Sequence, residues 1–178
     1  MDGNDGRAGN VAARTAAATA ALAVLLSLGG CAGYSPASLP VGATTAEIAA
    51  RMGPATGRLA LAGGAQRLEY ARGPYGRHTY ILDLDAQGRL VEWEQVLVEA
   101  KFNAIRTGMA QGEVLAAIGH PSEQRRVGWP AAGTVWAYRY ETPFCQWFQL
   151  SLDAAGKVTD TGYGPDPMCS HDGDRDAP

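Results

Sequence analysis

The chain has few of the side chains that ordinarily carry chemistry. Its 178 residues include three histidines, His78, His120 and His171, and three cysteines, Cys31, Cys145 and Cys169. The histidines are scattered, and no HExxH, GxSxG or metal-spaced Cys/His cluster occurs. Hydrolases that announce themselves by those motifs are excluded. No charge of one sign dominates either: 15 basic and 18 acidic residues give a net charge of −3, with no basic stripe for nucleic acid. The uncharged run TAAATAALAVLLSL, residues 15–28, has fourteen residues. That is too short to cross ~30 Å of hydrocarbon. What remains is ordinary globular composition, 46% hydrophobic and 19% charged, with room for one or two small cores.

The apolar run has the length of a secretory h-region, and small residues precede the cysteine that follows it. Leu28-Gly29-Gly30-Cys31 resembles the lipobox of bacterial lipoproteins. The resemblance implies removal of residues 1–30 as a signal peptide and acylation of Cys31 on its sulfur and its new amino terminus. Two or more acyl chains give lasting membrane attachment where one is marginal. Ala32 follows the cysteine in place of the aspartate that retains such proteins in the inner membrane, so the expected address is the periplasmic side of the outer membrane. MDGNDGRAGN carries two aspartates and one arginine, unlike a positively charged n-region, which puts the expected start nearer Val11. Loss of the leader leaves the net charge at −3, so membrane attachment rests on the lipid rather than on a polybasic patch.

After a linker over residues 31–38, the chain makes one statement twice. GATTAEIAARMGPAT, residues 42–56, and GMAQGEVLAAIGHPSE, residues 108–123, match at an offset of 66. Ile48 and Met52 lie one helical turn apart, as do Val114 and Ile118, so each segment carries one apolar stripe. Thr44 to Glu47 forms a capping-box pattern, whereas the second copy has Ala110 where the cap belongs. Gly53 and Gly119 suit the left-handed conformation that stops a helix, and Pro54 and Pro121 forbid its continuation. Further along, at an offset of 68, Leu68, Tyr70, Tyr80, Leu82 and Leu84 match Trp136, Tyr138, Phe148, Leu150 and Leu152. YILDL and FQLSL alternate with the period of half-buried strands and end in turns opened by Asp85 and Asp153, and RLVEWEQV and KVTDTGYG follow. The expected fold class is α+β: two tandem units, over residues 39–96 and 97–164, each a helix packed on a three-stranded antiparallel sheet.

FNAIRTGMAQGEVLAAIGHPSE, then WAYRY, then WFQLSLDAAGKV, resembles the SmpA/OmlA domain of the outer-membrane assembly lipoprotein family typified by BamE. The resemblance covers the whole second unit and, more loosely, the first. It implies an additional helix before Gly108, with Leu97, Phe102 and Ile105 on its apolar face and the stem of Lys101 lying along it. In the first unit the segment 34–41 holds two prolines, and that helix is expected to be missing. A tandem of such units also resembles the β-lactamase inhibitor protein family, whose paired sheets form a concave surface against an enzyme.

The remaining cysteines, Cys145 and Cys169, form an even pair. In an oxidising periplasm they suggest a disulfide worth roughly 3 kcal/mol, the alternative being two independent buried thiols. His120 reads as a turn residue, and Asp85 and Asp153 as hairpin-holding residues. The tail, residues 165–178, ends in SHDGDRDAP, which lacks the glycine placement and distal glutamate of a calcium loop and reads as a solvated end. No cofactor, metal or catalytic residue is therefore expected. Tyr75, Trp129, Phe144 and Trp147, with Arg125 and Arg126, have the composition of a protein-contact surface, and equally of cover for the sheet ends. The expected function is a non-catalytic interaction module, anchored to membrane lipid, in outer-membrane protein assembly or envelope integrity. Its expected partner is the assembly machinery or another envelope protein. The alternative is an inhibitor-like module that binds a periplasmic hydrolase, and an enzyme would require a pocket that gathers a histidine, a carboxylate and a nucleophile.

Overall fold

The computed structural model describes residues 35–128 and 132–169. The leader, Cys31, Trp129 and SHDGDRDAP lie outside these residues. A single 3-10 turn, Pro36–Ser38, precedes the first helix, α1 (Thr45–Met52). Then come β1 (Gly57–Ala60), β2 (Gln66–Ala71), β3 (Thr79–Leu84) and β4 (Leu90–Gln95). The second half opens with α2 (Glu99–Phe102) and α3 (Gln111–Ile118). It continues through β5 (Glu123–Val127), β6 (Gly133–Arg139), β7 (Gln146–Asp153) and β8 (Val158–Pro165).

The strands form two four-stranded antiparallel sheets, ordered β1-β2-β3-β4 and β5-β6-β7-β8. Three strands per unit were expected, so β1 and β5 are a correction. Both are largely exposed edge strands, GRLA and EQRRV, and neither alternates apolar and polar residues enough to announce a strand. Among the described residues no strand pairing joins the two sheets.

Ile48 and Met52 of α1 are fully buried against Leu68, Tyr70, Tyr80, Leu82, Leu84 and Leu90. Burying a side chain of this size contributes about 1.5–3 kcal/mol. In the second half Val114 and Ile118 of α3 pack among Trp136, Tyr138, Phe148, Leu150, Leu152 and Val158. The expected extra helix is present but short: Leu97, Phe102 and Ile105 are buried, and Phe102 stacks on Phe148 with ring centroids 4.5 Å apart. The Lys101 ammonium pairs with Glu94, at 2.7 Å.

Several hydrogen bonds occur in matching places. The Tyr70 hydroxyl donates to Gly53 O at 3.4 Å, and the Tyr138 hydroxyl to Gly119 O at 3.1 Å. Burial, with the nearby Glu69 charge, holds the Tyr138 phenol well above its ordinary pKa. Asp85 Oδ1 accepts from the amides of Gln87 and Arg89, and Asp153 Oδ1 from those of Ala155 and Lys157, all at 2.9 Å. Short bridges also pair Thr44 with Arg89 and Ala110 with Lys157. Both sheets have a register shift at the same point, after Asp83 and after Ser151.

The helices differ at their starts. Glu47 Oε2 accepts from the Thr44 amide at 2.7 Å, and Thr44 Oγ1 accepts from the Glu47 amide at 3.3 Å. The Thr44 amide and then its hydroxyl hold the Glu47 carboxyl below the usual range. In α3 only half of this arrangement exists: Glu113 Oε2 accepts from the Ala110 amide at 2.6 Å, and Ala110 has no oxygen to give in return. Ala110→Thr is therefore expected to stabilise the protein by about 1 kcal/mol and Thr44→Ala to cost about as much. Urea unfolding of both variants checks this, and equal midpoints for all three proteins would contradict it.

Candidate protein-contact site

The first sheet has a second face. Opposite the α1 core, β2 and β3 present Arg67, Glu69, Thr79, Ile81 and Asp83. Ile81 on this face belongs to the core of the second half. The Arg67 guanidinium grips Asp83 through two bonds of 2.6 Å and donates a third, at 2.9 Å, to Ala116 O near the end of α3. Glu69 is 6% exposed; it accepts from the His120 amide at 2.8 Å and from His120 Nδ1 at 2.7 Å. The helix α3 is thus shared, one side in its own core and the other against the back of the first sheet. His120, expected to be a plain turn residue, is a seam residue.

The seam bears on chemistry as well. A cavity of about 240 Å³ there is lined by Glu69, His120, Arg67, Leu59, Ile81 and Leu115, with Gly57, Arg58, Gly112 and Ala116 completing the wall. It brings together a histidine and a carboxylate, but no serine, threonine or cysteine lines it.

Seam contacts also organise the loops at one end of the molecule, and the organising residue is one the sequence did not single out. Arg139, at the end of β6, is 5% exposed. Its Nε donates to Asp166 Oδ2 at 2.8 Å, and Nη1 donates to Pro74 O at 2.5 Å in the loop between β2 and β3. Its guanidinium lies 5.0 Å from the Trp147 ring centroid and 6.0 Å from that of Tyr75. Arg77 and Glu141, 3.7 Å apart, link the same two loops at the surface. The Cys145–Cys169 disulfide is present and holds the start of the tail in place, with the Asp166 amide donating to Cys145 O at 3.0 Å. Residues 166–169, the start of the expected tail, are therefore tied to the fold, as the expected disulfide implies.

The residues singled out in the sequence fall into three groups. Tyr75 and Phe144 are 71% and 74% exposed and stand on the two linked loops. Phe144 lies in a turn before β7. Trp147, on the sheet face opposite Phe148, is covered by Arg139 and is only 6% exposed. Its part is to support the surface from below. Arg125 and Arg126, neighbours in sequence, face opposite sides of the sheet. Arg125 lines a small groove with Trp147, Val135 and Pro167, and Arg126 lines a different one beside Trp136 and Asp153.

Asp166→Ala would take from the buried Arg139 guanidinium its nearest carboxylate, leaving it Pro74 O and the more exposed Glu123 carboxylate at 3.9 Å. The expected cost is about 3–5 kcal/mol. Denaturant unfolding checks it, and a loss below about 1 kcal/mol, the worth of an exposed pair, would contradict the clamp.

No protein-family model matches the sequence, and no curated protein matches it. Among solved structures the chain is similar to an osmotically inducible lipoprotein, OsmE, at 25% identity and a TM-score of 0.34, over 45% of this chain and 87% of that one. It is also similar to a protein described as a beta-lactamase inhibitor protein from Streptococcus mutans, at 10% identity and a TM-score of 0.31, over 75% of this chain and 89% of that one.

Proposed function

We propose that this chain is a non-catalytic protein-interaction module, held to the periplasmic side of the outer membrane by acylated Cys31 and acting in outer-membrane protein assembly or envelope integrity. The observation that carries the proposal is the pair of exposed aromatics, Tyr75 and Phe144, on two loops fixed from within by Arg139. Leaving large aromatic side chains in water on an ordered scaffold is what a protein interface requires, because little side-chain and loop freedom remains to be lost on binding. The surface is built from two tandem copies of one BamE-like unit. The offsets of 66 and 68 in sequence, and the matching tyrosine, aspartate and bridge contacts, support that reading. The order of motifs shared with the SmpA/OmlA domain supports the assembly role, and the Leu-Gly-Gly-Cys31 pattern supports the anchor.

A photo-crosslinking residue placed at Tyr75 or at Phe144, in the lipidated protein in its own membrane, tests the surface. Covalent products with outer-membrane assembly components are expected. A soluble periplasmic hydrolase captured at both positions would replace the proposal with the inhibitor reading, and no product at either position would remove the surface. Cys31→Ser is expected to keep its leader and lose lipid labelling, and normal labelling of that variant would end the lipoprotein reading.

A further inference from the structure

The edge of the first sheet carries a second surface, distinct from the aromatic loops. Among the described residues β1 pairs with β2 alone, and Arg58, Leu59 and Ala60 are exposed. The Leu61 amide donates to Ala65 O at 2.9 Å, in register with the pairs Leu59–Arg67 and Gly57–Glu69. Antiparallel ladders alternate, so the residues between, Arg58 and Ala60, turn their N–H and C=O groups to the open side. An edge of this kind is a template for another strand.

What lies beside that edge gives it selectivity. Leu59 stands opposite Arg67, so its side chain is on the face that α3 covers. There it forms one wall of the seam cavity, with Ile81, Leu115 and Ala116 as the others. Gly112 on α3 lines the cavity, and a Cβ added there would meet nothing within 4 Å. Glu69, His120 and Arg67 form the polar limits of the cavity. Its carboxylate is already engaged by two donors of His120, and the Arg67 guanidinium by Asp83 and Ala116 O. The open volume is accordingly apolar in character and continuous with the packing of α3 on the first sheet.

We propose that the open edge of β1 and this cavity receive an extended segment of a partner protein. Its backbone pairs with Arg58 and Ala60, and one aliphatic or aromatic side chain enters the space between Leu59 and Leu115. The added strand becomes a fifth strand of the first sheet and continues beneath α3 the interface that Ile81 begins. Backbone pairing supplies affinity and the cavity supplies the choice of side chain.

The test uses the full chain labelled for amide NMR and titrated with the capped pentapeptide acetyl-Thr-Val-Leu-Val-Thr-amide. Saturable shifts at Arg58, Ala60, Gly112 and Leu115 are expected, together with about tenfold weaker binding when the central leucine is aspartate. Ala60→Pro removes an amide hydrogen that faces away from β2, a substitution that edge strands accept. Gly112→Leu fills the cavity from a helix position that gains propensity. Each variant is expected to fold and to weaken binding by about tenfold or more. The proposal is overturned if shifts are absent at millimolar peptide, if the aspartate peptide binds equally, or if both variants bind like the parent. Concentration-dependent shifts at Arg58 and Ala60 without peptide would assign the edge to a second copy of this chain and would overturn it too. None of these outcomes bears on crosslinking through Tyr75 or Phe144.

Discussion

A buried carboxylate joins the two halves of this protein. Removing a carboxylate from water is costly unless hydrogen bonds replace the lost hydration. Glu69 receives that replacement from one residue of the other half, His120, through its amide and its ring. The geometry leaves little freedom. The helix α3 must stop at Gly119, whose φ of 73° suits glycine, and a Cβ there would stand 2.9 Å from Glu69 Oε1 and 3.0 Å from the Thr79 methyl carbon. One glycine thus ends the helix, admits the carboxylate and allows the first sheet to approach. Arg67 completes the seam by taking a carbonyl of the last turn of α3, where a cation also complements the helix dipole.

From that seam follow both surfaces described above. With α3 held between the sheets, the loops at one end come close enough for Arg139 to reach Pro74 O, and the Tyr75 ring is placed 6.0 Å from the Arg139 guanidinium. The disulfide and Asp166 hold the same arginine from the tail side. Along the edge, the same placement of α3 over β1 leaves an apolar space that the four-residue strand is too short to fill. One proposed surface depends on exposed aromatics and the other on open backbone groups, and both rest on the same framework.

Much of the framework was legible because it is local. Stripes such as Ile48 and Met52, the alternation in YILDL and FQLSL, and the turn aspartates are set by neighbours a few residues away, and each is found where its period puts it. The pairing of Cys145 with Cys169 was legible from an even count read with the expected oxidising compartment. Edge strands were not legible, since an exposed strand has no buried face to impose a period, and EQRRV reads as a polar loop. Nor were the seam residues: Glu69 and His120 are 51 positions apart, and neither carries a local pattern that names the other. Arg139 sits in WAYRY, where a charged residue reads as the solvent side of a strand. Its burial is decided by Asp166, 27 positions away, and by a carbonyl in the other half. Trp147 follows the same logic, its orientation legible from alternation and its cover not. The adjacent Arg125 and Arg126 look like one patch in a linear text and become two faces once the strand is recognised.

With Glu69 and Arg67 tying them together, the two halves are expected to open and close as one cooperative body. Native-state hydrogen exchange under increasing denaturant tests it most directly, read at core amides on either side of the seam, Leu82 in the first half and Leu150 in the second. One shared opening free energy with one denaturant dependence is the expected result. Contradiction would take the form of a Leu82 amide that exchanges through a separate, lower-energy opening while Leu150 remains protected.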